Sequence, residues 1–451
     1  MLREQGVRKP HKKTRRTRCL ALVMLLIALL GVHDYEANAA PKAQAEAWPD
    51  PLVLQSGAAV HSRAEFEEQR REEILHLFEE NVYGRTPSAS MRVRVVKAEI
   101  EEHALHGLAL RKQITLAVGP HGERTWHLLQ YMPAHATGPV PVIIGLNFEG
   151  NQTVDPDRGI DLNAVWDPDP ALKNLPLAKE LSGHVQRMAE ASTRGSDASQ
   201  WQVERTVERG YGIATIYAGD IEPDFNGAIG YGIRPLFFTN TQSLPAANDW
   251  GAIGAWAWGM SRVLDILSND PSVDRNRFIA FGFSRFGKTA LWAAAQDKRF
   301  ALVLSNESGQ AGATLSHRKH GEPIDHLMLA FPHWFCANYQ HYLGRVQDLP
   351  VDGHLLLALI APRPLYIGSA IDDPFSDPEG EFLAAKAVAS VYSLYDETGV
   401  AAILMPTLEH PIGDVVMYHV RHGGHDVTAY DWGEYLNFAD RKLKFSAIGS
   451  Q

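Results

Sequence analysis

A serine in a short, glycine-bounded segment is the clearest candidate for chemistry in this 451-residue sequence. Residues 282–288 read Gly-Phe-Ser-Arg-Phe-Gly-Lys and lie between an apolar stretch, 277–281, and an Ala-rich stretch. A strand that turns sharply into a helix can hold a serine at the helix N-terminus, where backbone N–H groups favour negative charge. We therefore predict that Ser284 is a nucleophile. The alternative is a turn without chemistry, because the glycine at Gly287 comes three residues after the serine instead of two.

A histidine after the last apolar stretch is the candidate general base. His425 follows the stretch 415–420 and stands directly after two glycines. In enzymes with a nucleophile elbow, the base lies on a loop after the final strand. His419, His422 and His425 also recur every three residues, which leaves a metal site as an alternative. We expect no metal there, because the glycines would break a helix that aligned the three rings.

Two carboxylates are candidates for the residue that orients the histidine. Glu307 and Asp373 each follow an apolar stretch, and both precede His425 in the chain. With either one, the chain order is serine, acid, histidine, as in the α/β-hydrolases. Each also has a structural interpretation, Glu307 as a capping or loop carboxylate and Asp373 as part of an Asp/Pro-rich turn. The sequence leaves the choice between them open.

The elements that must position these residues follow from apolar patterning. Six short, nearly continuous apolar stretches are separated by helix-compatible sequence, at 140–146, 212–217, 277–281, 301–305, 364–368 and 415–420. Strands buried on both faces have this pattern, which predicts a mostly parallel central sheet in a three-layer sandwich. Alternating stretches at 92–96, 110–118 and 125–131 predict antiparallel strands, and helices are predicted at 63–82, 249–267 and 287–296. The stretches 155–202 and 227–247 are predicted insertions that help to build a substrate cleft.

Composition and the N-terminus indicate an exported globular protein. The chain is 45% hydrophobic and 21% charged, values that exclude a disordered chain and a polytopic membrane protein. Residues 1–39 combine a basic leader, an apolar run at 20–32 and a small-x-small pattern at 37–39, which predicts a signal peptide. A lead-in at 40–63 and a single domain at 64–445 follow. We expect a periplasmic or secreted protein that has no membrane segment after processing.

Net charge and cysteine content restrict the partners and the stabilising bonds. The leader carries a net +5, so the remaining chain carries about −15 at neutral pH. Such a chain has no electrostatic surface for nucleic acid or anionic lipid, and any anionic ligand needs a local cluster of cations. Only Cys336 remains after processing, so no intrachain disulfide can form.

Several motifs together resemble those of bacterial glucuronoyl esterases, which are carbohydrate esterases of the α/β-hydrolase superfamily. They are the segment 282–288, Asn-Glu-Ser-Gly at 306–309, Phe-Pro-His-Trp-Phe at 331–335, Leu-Pro-Val-Asp-Gly-His at 349–354, Ala-Pro-Arg-Pro at 361–364, the loop 373–381 and Gly-Gly-His at 423–425. The resemblance spans most of residues 140–435. It implies hydrolysis of the ester that joins 4-O-methyl-glucuronic acid side chains of glucuronoxylan to lignin alcohols. It implies no metal and no organic cofactor, and we expect a monomer.

The resemblance also implies roles for single residues. Ser284 is the implied nucleophile, His425 the base, and Glu307, Asp373 or both the orienting acid. Arg285 is implied in the oxyanion hole, and Lys288, Glu322 and Phe375 in binding the sugar. Two departures are that Phe283 stands where the family often has cysteine and Phe375 where it usually has tryptophan, so a ring N–H donor is absent at 375.

Three other functions remain open at this point. A xylan acetyl esterase would use the same three residue types with a small acyl pocket. A catalytically inactive relative would bind glycans without hydrolysing them. A metallohydrolase would use the histidine run and lose its activity to a chelator.

Overall fold

The architecture is described from a computed structural model that covers residues 48–168, 184–239 and 241–444. The predicted signal peptide at 1–39, residues 40–47 of the lead-in and residue 445 lie outside the described residues. The strands are β1 (Val93–His103), β2 (Ala109–Val118), β3 (Arg124–Pro133), β4 (Val140–Asn147), β5 (Ala164–Pro168), β6 (His184–Met188), β7 (Gly212–Tyr217), β8 (Val273–Phe283), β9 (Phe300–Asn306), β10 (Leu365–Ala370), β11 (Ile412–Gly413) and β12 (Val416–Arg421).

Helices precede, separate and follow these strands. They are α1 (Arg63–Glu65), α2 (Arg71–Asn81), α3 (Ala104–Gly107), α4 (Ala198–Trp201), α5 (Val203–Glu208), α6 (Ala218–Ile221), α7 (Ala252–Leu267), α8 (Arg285–Gln296), α9 (Ile324–Ala330), α10 (Gly353–Ala358), α11 (Pro378–Ala387), α12 (Ala389–Ser393) and α13 (Ala429–Ala439). Two π-helical segments occur, Phe66–Arg70 between α1 and α2 and Asp440–Lys444 directly after α13. No helix within the described ranges is both long enough and apolar enough to cross a bilayer.

One ten-stranded sheet organises the chain, in the order β1-β2-β3-β7-β4-β8-β9-β10-β12-β11. The pairs from β7 to β12 are parallel, and the pairs at both edges are antiparallel. The predicted mostly parallel sheet is confirmed, and the order and strand directions are those of an α/β-hydrolase. The segment 155–202, predicted as an insertion, contains the separate antiparallel hairpin β5-β6.

Both faces of the sheet are covered, which explains the nearly continuous apolar stretches. In β8, Phe278 and Ala280 pack into one core cluster, and Ile279 and Phe281 pack into the other. Helices α2, α7, α8, α10 and α11 contribute to the first cluster, and α5 and α13 contribute to the second. Alternate side chains of each central strand thus enter opposite cores, as in a three-layer sandwich.

The strand β1 is longer than its sequence pattern predicted. The alternation indicated a strand at 92–96, whereas the structure continues it to His103. Its charged C-terminal half is exposed, but it pairs with β2 up to Glu101 opposite Arg111. Backbone pairing extends the strand where the side chains give no apolar period.

The carboxyl ends of the parallel strands meet at one edge of the sheet, and the candidate residues lie there. Ser284 follows β8, Glu307 follows β9, Asp373 comes three residues after β10, and His425 comes four residues after β12. Ligands of open α/β sheets bind at this edge. The topology therefore brings together residues that are up to 141 positions apart in the chain.

Candidate active site

Ser284 occupies a strained turn between β8 and α8. Its backbone has φ +57° and ψ −127°, a region that few residues other than glycine adopt. A Cβ on Gly282 would lie 1.8 Å from the carbonyl oxygen of Phe286, and one on Gly287 would lie 2.8 Å from the Cβ of Ser308. Gly282 is therefore required for the chain to turn this tightly, and Gly287 is required for the start of α8 to lie this close to Ser308.

Ser284, His425 and Asp373 form a continuous hydrogen-bond chain. Ser284 Oγ lies 2.9 Å from His425 Nε2. On the other side of the ring, Nδ1 lies 2.7 Å from Asp373 Oδ2. The His425 ring also packs against Phe283, with 4.6 Å between the ring centroids. The serine and its neighbouring nitrogen are within the range that proton transfer from a nucleophile to a base requires.

Glu307 approaches the same imidazole from the neighbouring strand end. Its Oε2 lies 3.1 Å from His425 Nδ1 and accepts the backbone N–H of Asp426, also at 3.1 Å. Its Oε1 accepts a hydrogen bond from Arg421 Nη2 at 2.5 Å. The Glu307 side chain is buried and its φ is +45°, a second strained backbone position in the site. Both candidate acids therefore contact the histidine, but Glu307 shares its oxygens with other donors.

Burial and charge affect the two acids and the histidine differently. Burial opposes the charged imidazole, but the hydrogen bonds and charges of Asp373 and Glu307 outweigh it and raise the pKa of His425 to about 9. Burial raises the pKa of Glu307 to about 7, although His425 and Arg421 oppose the rise. For Asp373, burial is outweighed by the hydrogen bonds from His425 and Ser376, so its pKa is held below the usual range. Asp373 is therefore the acid that remains ionised throughout the neutral range.

Arg285 follows the serine directly and is held by an ion pair and by aromatic rings. Its Nη1 donates to Asp224 Oδ2. The guanidinium carbon lies 4.6 Å from the centroid of the Trp334 ring, 5.5 Å from that of Phe331 and 5.6 Å from that of Phe148. A guanidinium stacked between rings and paired at one edge has a restricted orientation.

Lys288 lies close to this group, because its Nζ is 5.9 Å from the centroid of the Trp334 ring that Arg285 also contacts. Lys288 is buried in α8 and donates from Nζ to the carbonyl oxygen of Ser308 at 2.6 Å. Burial lowers its pKa to about 8, although the charge of Glu322 opposes the change. The backbone N–H of Glu322 donates to the carbonyl oxygen of Phe375 at 2.8 Å. Lys288 and Glu322, both implied in sugar binding, are thus close enough for their charges to interact, and Glu322 contacts the backbone of Phe375.

Comparisons with known proteins identify the family. A family model described as "Glucuronyl esterase, fungi" matches residues 242–396. Carbohydrate esterase MZ0003, from an unknown prokaryotic organism, is 38% identical over 434 residues, which are 94% of this chain and 98% of that protein. A structure of a glucuronoyl esterase from Solibacter usitatus has 43% identity and a TM-score of 0.81, and covers 89% of this chain and 100% of that one. This chain belongs to the glucuronoyl esterase family. It is a carboxylic ester hydrolase with an α/β-hydrolase fold.

A fungal relative has a more specific name. The 4-O-methyl-glucuronoyl methylesterase 1 of Phanerochaete chrysosporium is 35% identical over 151 residues, which are 32% of this chain and 32% of the relative. The similarity to this relative covers only part of each chain, whereas the bacterial relatives match almost throughout.

The three regularly spaced histidines of this esterase do not form a ligand set. His419 is buried in β12, where Nδ1 lies 3.0 Å from Tyr366 Oη and Nε2 lies 2.8 Å from Asp431 Oδ1. His422 is exposed on the following loop. In the described part of the chain, one group of metal-ligating side chains has its atoms within 4.8 Å of one another, and it consists of Glu307, Asp373 and His425. In this group, His425 Nδ1 is already in hydrogen-bond contact with one oxygen of Asp373 and one oxygen of Glu307.

Sequence reasoning missed three residues that contact the candidate site residues or the segments that carry them. Arg421 bridges Glu307 and Asp431, Asp224 pairs with Arg285, and Glu381 accepts hydrogen bonds from Gly309 N–H and Ser369 Oγ. Asp224 comes seven positions after the end of β7, at the same sheet edge as the other acids. The strand-end rule that singled out Glu307 and Asp373 would therefore also have found Asp224. No local pattern distinguishes Arg421 or Glu381.

Proposed function

We propose that this protein hydrolyses the ester between 4-O-methyl-glucuronic acid side chains of glucuronoxylan and lignin alcohols. The observation that carries the proposal is the hydrogen-bond chain from Ser284 through His425 to Asp373, with distances of 2.9 Å and 2.7 Å. The family membership and the name of the fungal relative support a uronoyl ester as the substrate. We further propose that the protein is exported to the periplasm or secreted and acts as a monomer.

The reaction begins with attack by Ser284 on the C6 carbonyl of the uronoyl ester. His425 Nε2 takes the proton of the hydroxyl as the bond between Oγ and the carbonyl carbon forms. The carbonyl oxygen becomes an alkoxide. Arg285 and a free backbone N–H at the first turn of α8 stabilise this charge, and losing one such donor costs about 2.7–4 kcal/mol of barrier in serine hydrolases.

Collapse of this intermediate releases the lignin alcohol. His425 donates its proton to the departing alkoxide oxygen, and the glucuronoyl group remains on Ser284 as an acyl-enzyme. Water then attacks the acyl carbon with the help of the same imidazole. Serine leaves with the returned proton, and glucuronate is the product.

Asp373 is the main orienting acid in this proposal, and Glu307 supports it. Asp373 makes the shorter contact to Nδ1, 2.7 Å against 3.1 Å. Its pKa is lowered, whereas that of Glu307 is raised by burial. Glu307 also accepts hydrogen bonds from Arg421 and Asp426, so it connects the loop that carries the histidine to the end of β9. Asp373 accordingly orients the proton on His425 Nδ1, and Glu307 mainly holds the loop that carries His425 in place.

Recognition of the uronic acid falls to Lys288, Glu322 and Phe375. A protonated lysine and a carboxylate form charge-assisted hydrogen bonds to sugar hydroxyls, which are stronger than neutral ones. Glu322 is held in place by His326, whose Nδ1 lies 2.7 Å from Oε1. Phe375 provides a half-buried ring that packs against the sugar without donating a hydrogen bond.

Hydrolysis of benzyl glucuronate tests the proposal. We expect the purified protein to cleave this ester, Ser284→Ala to abolish turnover without changing thermal stability, and a chelator to have no effect. Acetylated xylan and an aryl acetate serve as competing substrates. Cleavage of acetyl esters with no activity on any alkyl or aryl glucuronate would indicate an acetyl esterase instead. Glycan binding that Ser284→Ala leaves intact, with no hydrolysis by the parent protein, would indicate an inactive relative.

A further inference from the structure

Asp224 lies outside the hydrogen-bond chain of the proposed mechanism but touches three groups around Arg285. Its Oδ2 accepts a hydrogen bond from Arg285 Nη1. Its Oδ1 accepts from Trp334 Nε1 at 2.7 Å and from His333 Nε2 at 2.9 Å. Trp334 is also the ring on which the guanidinium stacks. One carboxylate therefore holds the cation and the aromatic surface beneath it.

We propose that Asp224 is a positioning residue that fixes the Arg285 guanidinium as the charged donor of the oxyanion hole. The inference rests on the proposed function, in which Arg285 stabilises the alkoxide. Within the described residues, neither Nε nor Nη2 of Arg285 makes a hydrogen bond, and the exposed fraction of the side chain is 27%. Nε is buried, and Nη1 is occupied by Asp224, so Nη2 is the nitrogen left to donate to the substrate.

The ion pair is suited to hold a preorganised donor. A flexible arginine would have to be ordered as charge develops, whereas a donor already in place costs no reorganisation at that moment. Burial opposes the charge on Asp224, but Arg285 and the hydrogen bonds from His333 and Trp334 hold its pKa below the usual range. The carboxylate is therefore ionised at neutral pH, as the ion pair with Arg285 requires.

The loop that carries Asp224 is itself anchored by aromatic packing. Phe225, the next residue, is buried and stacks on His184 of β6 with 4.2 Å between ring centroids. Phe225 also packs against Trp166 of β5 at 5.5 Å. The β5-β6 hairpin therefore supports the position of Asp224, and through it that of Arg285. This connects the insertion to the reacting group without requiring the hairpin to touch substrate.

A double-mutant cycle with benzyl glucuronate tests the inference. Arg285→Ala is expected to lower kcat by about 100- to 1000-fold, the loss typical for one oxyanion donor. Asp224→Ala is expected to lower kcat at least about tenfold and to leave KM within about twofold, because a positioning residue acts on the transition state. In the Arg285→Ala background, replacing Asp224 should cost less than about a further twofold, since there is no guanidinium left to position.

Two controls separate positioning from a general loss of structure. Asp224→Asn keeps the size of the side chain and is expected to fold like the parent, with kcat between those of the parent and Asp224→Ala. Asp220→Asn alters a carboxylate four positions earlier in the chain, whose Oδ2 lies 2.9 Å from His127 Nδ1. This variant should leave kcat unchanged. An equal loss from the Asp224 variants in both backgrounds, or full activity of Asp224→Ala, would overturn the inference. Failure of the parent to cleave benzyl glucuronate would instead refute the proposed function.

Discussion

We expect the two carboxylates that contact His425 to contribute unequally to rate and to stability, and paired substitutions should separate their contributions. Asp373→Asn replaces the carboxylate whose Oδ2 lies 2.7 Å from His425 Nδ1 by a neutral amide, and Glu307→Gln does the same to the carboxylate at 3.1 Å. Asp373 otherwise accepts a long hydrogen bond, 3.4 Å, from the N–H of Ser376. Glu307 also accepts from Arg421 at 2.5 Å and from the N–H of Asp426 at 3.1 Å. The first substitution therefore affects mainly the histidine, and the second mainly the surrounding structure.

The expected magnitudes follow from what remains after each change. In a site with a single acid, replacing it by the amide lowers kcat by about 10⁴ because the histidine adopts the wrong tautomer. In Asp373→Asn, Glu307 still accepts the Nδ1 proton, so we expect a loss of only about 10- to 100-fold. Glu307→Gln should lower kcat less than about tenfold. The amide N–H group of the new glutamine would face another donor, either Asp426 N–H or Arg421. This unfavourable contact should lower the free energy of unfolding by about 1–3 kcal/mol. Arg421 retains Asp431 at 2.8 Å, which limits the cost.

The assay measures kcat on benzyl glucuronate and the free energy of unfolding in denaturant for both single variants and for the double variant. The double variant should lose about 10⁴ in kcat, more than the product of the single losses, because no carboxylate remains to fix the tautomer of His425 and to stabilise its protonated form. A Glu307→Gln variant that loses more kcat than Asp373→Asn, at unchanged stability, would refute the assignment. So would a double variant no slower than the slower single variant.

Three further predictions follow from the site. The value of kcat/KM should rise with pH as His425 loses its proton, with a midpoint above the usual 6.5 because both carboxylates raise the pKa of the imidazole. A pH profile of kcat/KM for Asp373→Asn should show this rise at lower pH. Lys288→Met should raise KM for glucuronate esters at least about tenfold, by loss of a charge-assisted hydrogen bond, while aryl acetate turnover changes less than about twofold in parallel assays. Gly282→Ala should destabilise the fold by about 3 kcal/mol or more and abolish activity, because the new Cβ would lie 1.8 Å from the carbonyl oxygen of Phe286. A thermal melt of this variant that matches the parent would contradict the prediction.

The proximity of Ser284 and His425, the proposed nucleophile and base, could be predicted from sequence because each belongs to a local pattern with a physical cause. Ser284 sits where an apolar strand meets an Ala-rich helix, and glycines on both sides permit the tight turn. His425 follows the last parallel strand. The sheet itself could be predicted because strands buried on both faces leave almost continuous apolar stretches. The parallel order then places the strand ends together without any further information.

The ion-pair partners of the site residues could not be predicted from sequence, because each pair joins segments that are distant in the chain and meet only in the folded structure. Arg421 is one of many arginines in the chain, and the pairing of β10 with both β9 and β12 brings it beside Glu307. The choice between Glu307 and Asp373 stayed open for the same reason, since both follow strands and both precede the histidine. Distances and additional hydrogen-bond donors distinguish them, and neither is encoded in local sequence.

Local pairing of charges explains how a strongly acidic chain can carry cationic groups at its site. Arg285 has Asp224, Arg421 has Glu307 and Asp431, and His425 has Asp373 and Glu307. Lys288 instead donates to a carbonyl oxygen, which leaves its charge uncompensated by a hydrogen-bonded carboxylate among the described residues. A uronoyl ester is neutral and needs only hydrogen bonds from such a group, so the chain's net charge of −10 at pH 7 does not repel it. Hydrolysis creates a carboxylate, and the same net charge then favours departure of the product.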